Sequence, residues 1–109
     1  MGKKTVWDIY WADVAYEDNP EIIKKRPVVI KSDGGAFIMS FYATSQPSKP
    51  EYDCYPIKQW REAGLDKPTV VRLDKCLRLE PNDFHEYIGH LTEQDALILQ
   101  LELMRVINR

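Results

Sequence analysis

The run PVVIKSDGGAFIMSFYATS, residues 27–45, constrains the fold more than any other part of the chain. Pro27 lacks an amide donor and has a locked φ, which suits a strand start and excludes a helix interior. Val28, Val29 and Ile30 follow, stiff β-branched side chains that favour a pleated backbone. Asp33-Gly34-Gly35 then supplies residues that tolerate the positive φ of a chain reversal. The reading is a hairpin whose second strand, AFIMSFYATS, ends on Thr44 and Ser45. A lone hairpin is marginal in water, so the remaining residues must supply strands or a helix to cover it.

They do so in order. VWDIYWADVA, residues 6–15, places Trp7, Ile9 and Trp11 on one face with a period near two, a strand. YEDNPEIIKK, 16–25, has no period and contains Asn19-Pro20, so it reads as a loop of about ten residues. SQPSKPEYD is a second polar loop, and YDCYPI a short strand. IKQWREAG then reads as two helical turns closed by Gly64, before Lys67-Pro68 breaks the chain. TVVRLDKCLRLE is a fifth strand in which Arg72 and Asp74, two apart, share a face. In the last segment Thr92 and Asp95 form a capping box for a helix carrying Leu97, Ile98, Leu99, Leu101, Leu103, Met104 and Ile107.

Short strands with a single terminal amphipathic helix predict a mainly β, α+β fold. We expect a small SH3-like antiparallel barrel with short helical turns and the helix across it, one domain over 1–109. The helix is apolar on too many sides to be covered by one surface, which points to a homodimer.

Composition narrows the function. No apolar run is long enough to span a membrane and no export signal opens the chain, so a cytoplasmic protein without membrane attachment is expected. Cys54 and Cys76 form no CxxC pattern and read as reduced thiols, while His85 and His90 lack the spacing of metal ligands. No metal and no cofactor are expected. The net charge of −2 hides a partition: residues 24–78 carry eleven Lys or Arg against six acids, whereas both flanks are acidic. Gathered on one face, that middle segment would favour phosphate.

Five stretches, in order, resemble the PemK/MazF family of bacterial toxin endoribonucleases: WDIYWADV (7–14), RPVVI (26–30), ATSQ (43–46), TVVRLDKCLRL (69–79) and IGHLTEQD (88–95). The resemblance implies a metal-independent ribonuclease that cuts single-stranded RNA at short sequences, acts as a homodimer and is neutralised by a small acidic antitoxin. It implies catalytic roles for Arg26, Thr44, Arg72 and Asp74, with Ser45, Gln46, Lys24 and Lys25 binding substrate. Attack of a 2′-hydroxyl on phosphorus needs a base, donors to the phosphoryl oxygens and a proton for the leaving oxygen. Asp74 is the carboxylate of that set and hence the candidate base; the arginines offer forks for phosphate, and the Thr44 hydroxyl a further donor. The proton donor is left open between Arg26, Arg72 and water. Tyr10, Tyr42, Tyr52, Tyr55 and Trp60 are candidates to stack unpaired bases. The loop before Arg26, NPEIIKK, departs from the family by lacking glycine and carrying Ile22 and Ile23. The alternative reading is a non-catalytic module of the same fold, a gyrase-binding type or a decayed toxin.

Overall fold

The structure is a computed structural model and describes residues 3–15, 19–45 and 53–108. Six strands form one antiparallel sheet: β1 (Asp8–Ala15), β2 (Ile23–Asp33), β3 (Ile38–Thr44), β4 (Cys54–Pro56), β5 (Val70–Leu79) and β6 (Phe84–His90), in the order β4-β5-β3-β2-β1-β6. Among the described residues one α-helix, α1 (Glu93–Ile107), follows the strands, and a short 3-10 turn at Pro81–Asp83 precedes β6. The sheet curls around a core of Ile9, Val29, Phe41, Val71, Leu73, Leu91 and Leu99, and a smaller cluster of Ala12, Val14, Val28 and Leu79 lies apart from it. This is the expected mainly β architecture, a curled open barrel with a terminal helix. Among the described residues no helix is long and apolar enough to cross a membrane.

The hairpin forms as its residues dictate. Asp33 pairs with Ile38, the Gly34 amide donates to the Phe37 carbonyl at 3.0 Å, and Gly35 takes φ +90°. The Asp33 carboxylate accepts from the amides of Lys4 and Gly35, and these two bonds hold its carboxyl below the usual carboxylate range.

Three expectations are corrected, and one strand is added to them. The loop before Arg26 is shorter than its composition suggests, because β2 begins at Ile23 and its register carries Lys24 onto Val14 and Lys25 onto Asp13. Pro27 is therefore inside β2, at a point where the ladder to β3, which starts at Val28, does not require its amide. IKQWREAG makes no helix. It is a compact turn with one bond of helical spacing, Ala63 N to Gln59 O, closed at once by Gly64 N to Arg61 O and Leu65 N to Trp60 O with Gly64 at φ +98°. That pair of bonds is a Schellman closure, in the place expected for it. Strand β6, in PNDFHEYIGH, has no periodic signal because it is an edge strand with four of its seven residues exposed.

The capping box at α1 is half formed. The Asp95 amide donates to Thr92 Oγ1 at 3.3 Å, but the Asp95 carboxyl turns away from the helix. It accepts from Tyr55 Oη, from Lys58 N at 3.1 Å and from Gln59 N at 2.8 Å, and is wholly buried. Burial, then the bond to Asp95, pushes the Tyr55 hydroxyl pKa up. Helix and turn are thus tied by one carboxyl group. A second tie is steric: a side chain at Gly89 would put its Cβ 1.8 Å from the Ala63 carbonyl oxygen, so the turn backbone lies directly on β6.

Candidate active site

Arg26 stands in β2 and Thr44 ends β3, the neighbouring strand. The register that pairs Val28 with Tyr42 brings Thr44 level with Arg26. Together with Ser45 they line a cavity of about 220 Å³. Across it stand Trp11 of β1 and residues Gly64, Leu65, Asp66 and Lys67, the chain leaving the compact turn. Arg26 Nε is buried and, among the described residues, has no hydrogen-bond partner. A guanidinium N–H removed from water without an acceptor is costly, and on a cavity wall an incoming acceptor would relieve that cost. The Arg26 fork presents to that cavity donors matched in geometry to phosphate or carboxylate oxygens.

Arg72 and Asp74 do not line the cavity. They lie on β5, the strand on the other side of β3, where the ladder breaks: Ala43 pairs with Val71 and Phe41 with Cys76. Four residues of β5, 72 to 75, therefore span the single residue Tyr42, and the extra length bulges from the sheet. Within the bulge the Arg72 guanidinium donates to both Asp74 oxygens, Nε to Oδ1 at 3.2 Å and an Nη to Oδ2 at 2.8 Å. This fork holds the Asp74 carboxyl below its ordinary pKa, against a smaller opposing effect of burial. At neutral pH Asp74 is a carboxylate, charged and able to accept a proton, though weakly basic.

The sequence-derived set is thus divided. Arg26, Thr44 and Ser45 meet in one cavity; Arg72 and Asp74 form a second group one strand further on. Lys24 and Lys25 are exposed on β2 rather than on a loop, and Lys25 pairs with Glu86 at 2.8 Å while its ammonium lies 5.9 Å from the centre of the Trp11 ring. Gln46 lies outside the described residues, as does Tyr52. Of the candidate stacking rings, Tyr55 is buried against Asp95 and Trp60 packs on the core. Tyr42 lies under the Lys75 ammonium at 4.4 Å, and Tyr10 packs edge-on against Phe84 and Tyr87.

The histidines pair with β1: His85 Nε2 lies 2.9 Å from Asp13 and His90 Nδ1 2.7 Å from Asp8. They stitch the edge strand to the sheet. Among the described residues no three His, Cys, Asp or Glu side chains cluster as a metal site. What the sequence reading missed is the far wall of the cavity. Its signal was the LDKP connection, a glycine cap followed within four residues by Pro68, which forces a tight exit toward β5.

No curated protein sequence matches the chain. Among solved structures, a mycobacterial endoribonuclease in complex with its cognate antitoxin superposes with a TM-score of 0.74 at 14% identity, covering 96% of this chain and 95% of that one. The Mycobacterium tuberculosis toxin MazF-mt6 gives 0.67 at 19% identity, with 93% and 96% covered. The MazE–MazF complex from Deinococcus radiodurans gives 0.71 at 13% identity, with 99% and 98% covered. At such identities these likenesses speak for the fold. The family profile of PemK-like, MazF-like toxins of type II toxin–antitoxin systems matches residues 5–107, and the chain belongs to that family.

Proposed function

We propose that this protein is a toxin endoribonuclease that cuts single-stranded RNA without a metal ion and is neutralised by a small acidic antitoxin. The observation that carries the reading is Arg26: a buried, unpartnered guanidinium N–H on the wall of a cavity it shares with Thr44, in a chain of this toxin family. In this reading Arg26 grips the scissile phosphate and the Thr44 hydroxyl donates to a nonbridging oxygen. Asp74 takes the proton of the 2′-hydroxyl as its oxygen attacks phosphorus. Arg72 holds Asp74 ionised and faces the charge that develops on the phosphoryl group. The bond from phosphorus to the 5′-oxygen breaks, and that oxygen takes a proton from water, because arginine with a pKa above about 12 releases one poorly. Ser45, Gln46, Lys24 and Lys25 are assigned to the RNA on either side.

The protein acts as a homodimer in this reading. Leu97, Leu101, Met104 and Ile107 form an exposed apolar stripe on α1, the kind of surface a second copy covers. An acidic antitoxin segment would bind where the RNA backbone binds, since both present anionic groups to Arg26 and its neighbours.

The test is direct. Purified protein incubated with single-stranded RNA in EDTA is expected to leave 2′,3′-cyclic phosphate ends. RNA that stays intact at micromolar protein would turn the reading to a non-catalytic binding module of the same fold.

A further inference from the structure

The cavity beside Arg26 holds more than a phosphate grip requires. Trp11 and Leu65 give it apolar walls, and Asp66 and Lys67 stand with them. Its volume of about 220 Å³ is less than the roughly 300–1,000 Å³ of clefts that hold drug-sized ligands. A single planar heterocycle is the scale of occupant that fits. The Asp66 side chain is exposed and makes no hydrogen bond or ion pair with another described residue, unlike Asp74 and Asp95.

The segment that carries Asp66 is held at both ends. Upstream is the Schellman closure on Gly64, seated against the backbone at Ile88 and Gly89. Downstream, Thr69 Oγ1 donates to the Lys67 carbonyl at 3.0 Å and Ile57 N donates to the Thr69 carbonyl at 3.0 Å. Residues 65 to 68 are therefore presented at a set position relative to Arg26. Rigid placement of a polar group beside a flat apolar wall is what reading a base requires.

We propose that this cavity binds one unpaired base of the RNA, next to the phosphate held by Arg26, with Trp11 stacked on it and Asp66 reading it, and that the base selected is guanine. The substrate class rests on the ribonuclease reading. Stacking on an indole holds any base, since every base has a π face. Choice among bases therefore falls to the polar groups. Each of the four bases offers one donor next to one acceptor, which a carboxylate–ammonium pair would satisfy without preference. Guanine alone offers two adjacent N–H donors, N1–H and N2–H, which the two oxygens of Asp66 accept together. The Lys67 ammonium then donates to guanine O6.

The test titrates the full chain, by calorimetry, with the 3′-monophosphates of guanosine, adenosine, cytidine and uridine, and with inorganic phosphate. The guanosine nucleotide is expected to bind about tenfold tighter than the other three or more, the low end of what a bidentate base contact supplies. Asp66→Asn should abolish that preference, because an amide meets two donors with only one acceptor, while leaving inorganic phosphate binding unchanged. Asp66→Ala should abolish it equally. Arg26→Ala should weaken all four nucleotides alike. Sequencing of cleaved RNA ends should show guanine at one position near the cut in the native protein and not in Asp66→Asn. Equal binding of the four nucleotides, no saturable binding at millimolar concentration, or a guanine preference that survives Asp66→Asn would overturn the proposal. Failure of the native protein to cut RNA would instead overturn the ribonuclease reading, and the titration would still decide the pocket.

Discussion

Asp95 and Arg26 are both polar groups withdrawn from water, and they are treated in opposite ways. Asp95 is wholly buried and accepts from three donors, two of them backbone amides of the turn after β4. Arg26 Nε is buried and has none among the described residues. A buried group with its bonds filled contributes to stability, and removing it strands its partners. A buried group with its bonds unfilled is a cost, and where the group lines a cavity, as Arg26 does, a bound acceptor would offset it. The first belongs to the fold; the second, under the proposed function, is aimed at the phosphate of the RNA. The Arg72–Asp74 pair lies between these extremes, satisfied internally but partly open to solvent.

The widest separation should come from Asp95→Ala. It leaves Tyr55, Lys58 and Gln59 donors unpaired, and thermal unfolding should show a loss of about 3 kcal/mol or more, which for a chain of this size lowers Tm by roughly 12 °C or more. Arg26→Ala is the counterpart. RNA cleavage should fall by about 10²–10³, while Tm stays within roughly 2 °C of native, because no hydrogen bond to Nε is lost. Were Arg26→Ala to unfold the protein, or Asp95→Ala to leave it intact, the contrast between the two would be wrong.

Tyr55→Phe sharpens the contrast from within. It removes one of the three donors to Asp95 and should cost about 1 kcal/mol, leaving cleavage unchanged. The smallest effect on stability belongs to Asp74. Its folded pKa is lowered by Arg72, so its contribution is complete above the unfolded value of about 3.9 and is lost as pH falls through the folded value. Acid unfolding of Asp74→Asn should therefore be shallower than native below about pH 4, with a difference of about 1 kcal/mol or less at neutral pH. Cleavage by the native protein should show no acid limb from Asp74 above about pH 5.

Local pattern made much of this legible. Alternation and β-branching in PVVIKS, and the Asp33-Gly34-Gly35 reversal, yield the β2–β3 hairpin because short-range physics decides both. The Val70–Leu79 strand and the Thr92-capped helix were readable for the same reason. Strand β6 was not: it is an edge strand with no fully buried residue and three successive exposed ones, so no apolar alternation is imposed on it. IKQWREAG has a helix-like pattern but too little length between Pro56 and Gly64 to propagate one, since nucleation costs more than a single turn returns. On α1 the stripe through Leu97, Leu101 and Met104, apolar in sequence, faces out, while Ile98, Leu99, Leu103 and Val106 pack inward. Periodicity identifies an apolar face without saying which of two is covered.

At the candidate site, resemblance supplied Arg26, Thr44, Arg72 and Asp74, and residue spacing alone would not have grouped them. Their division into a cavity and a bulge depends on the slip of β5 past Tyr42. The role of Asp95 was hidden because its partners are 36 to 40 residues away in sequence. A capping motif is read within four residues, and a cross-link of that reach leaves no local trace.

The tight seat of Gly64 and Gly89, together with the Thr69 bonds, separates two jobs in neighbouring stretches of chain. Anchorage is carried by backbone atoms, small residues and the Leu65 side chain packed on the core, so Asp66 and Lys67 can be exchanged without loosening anything that holds them. A chain built this way can acquire a new target by altering a few letters, and an engineer wishing to redirect it would begin there.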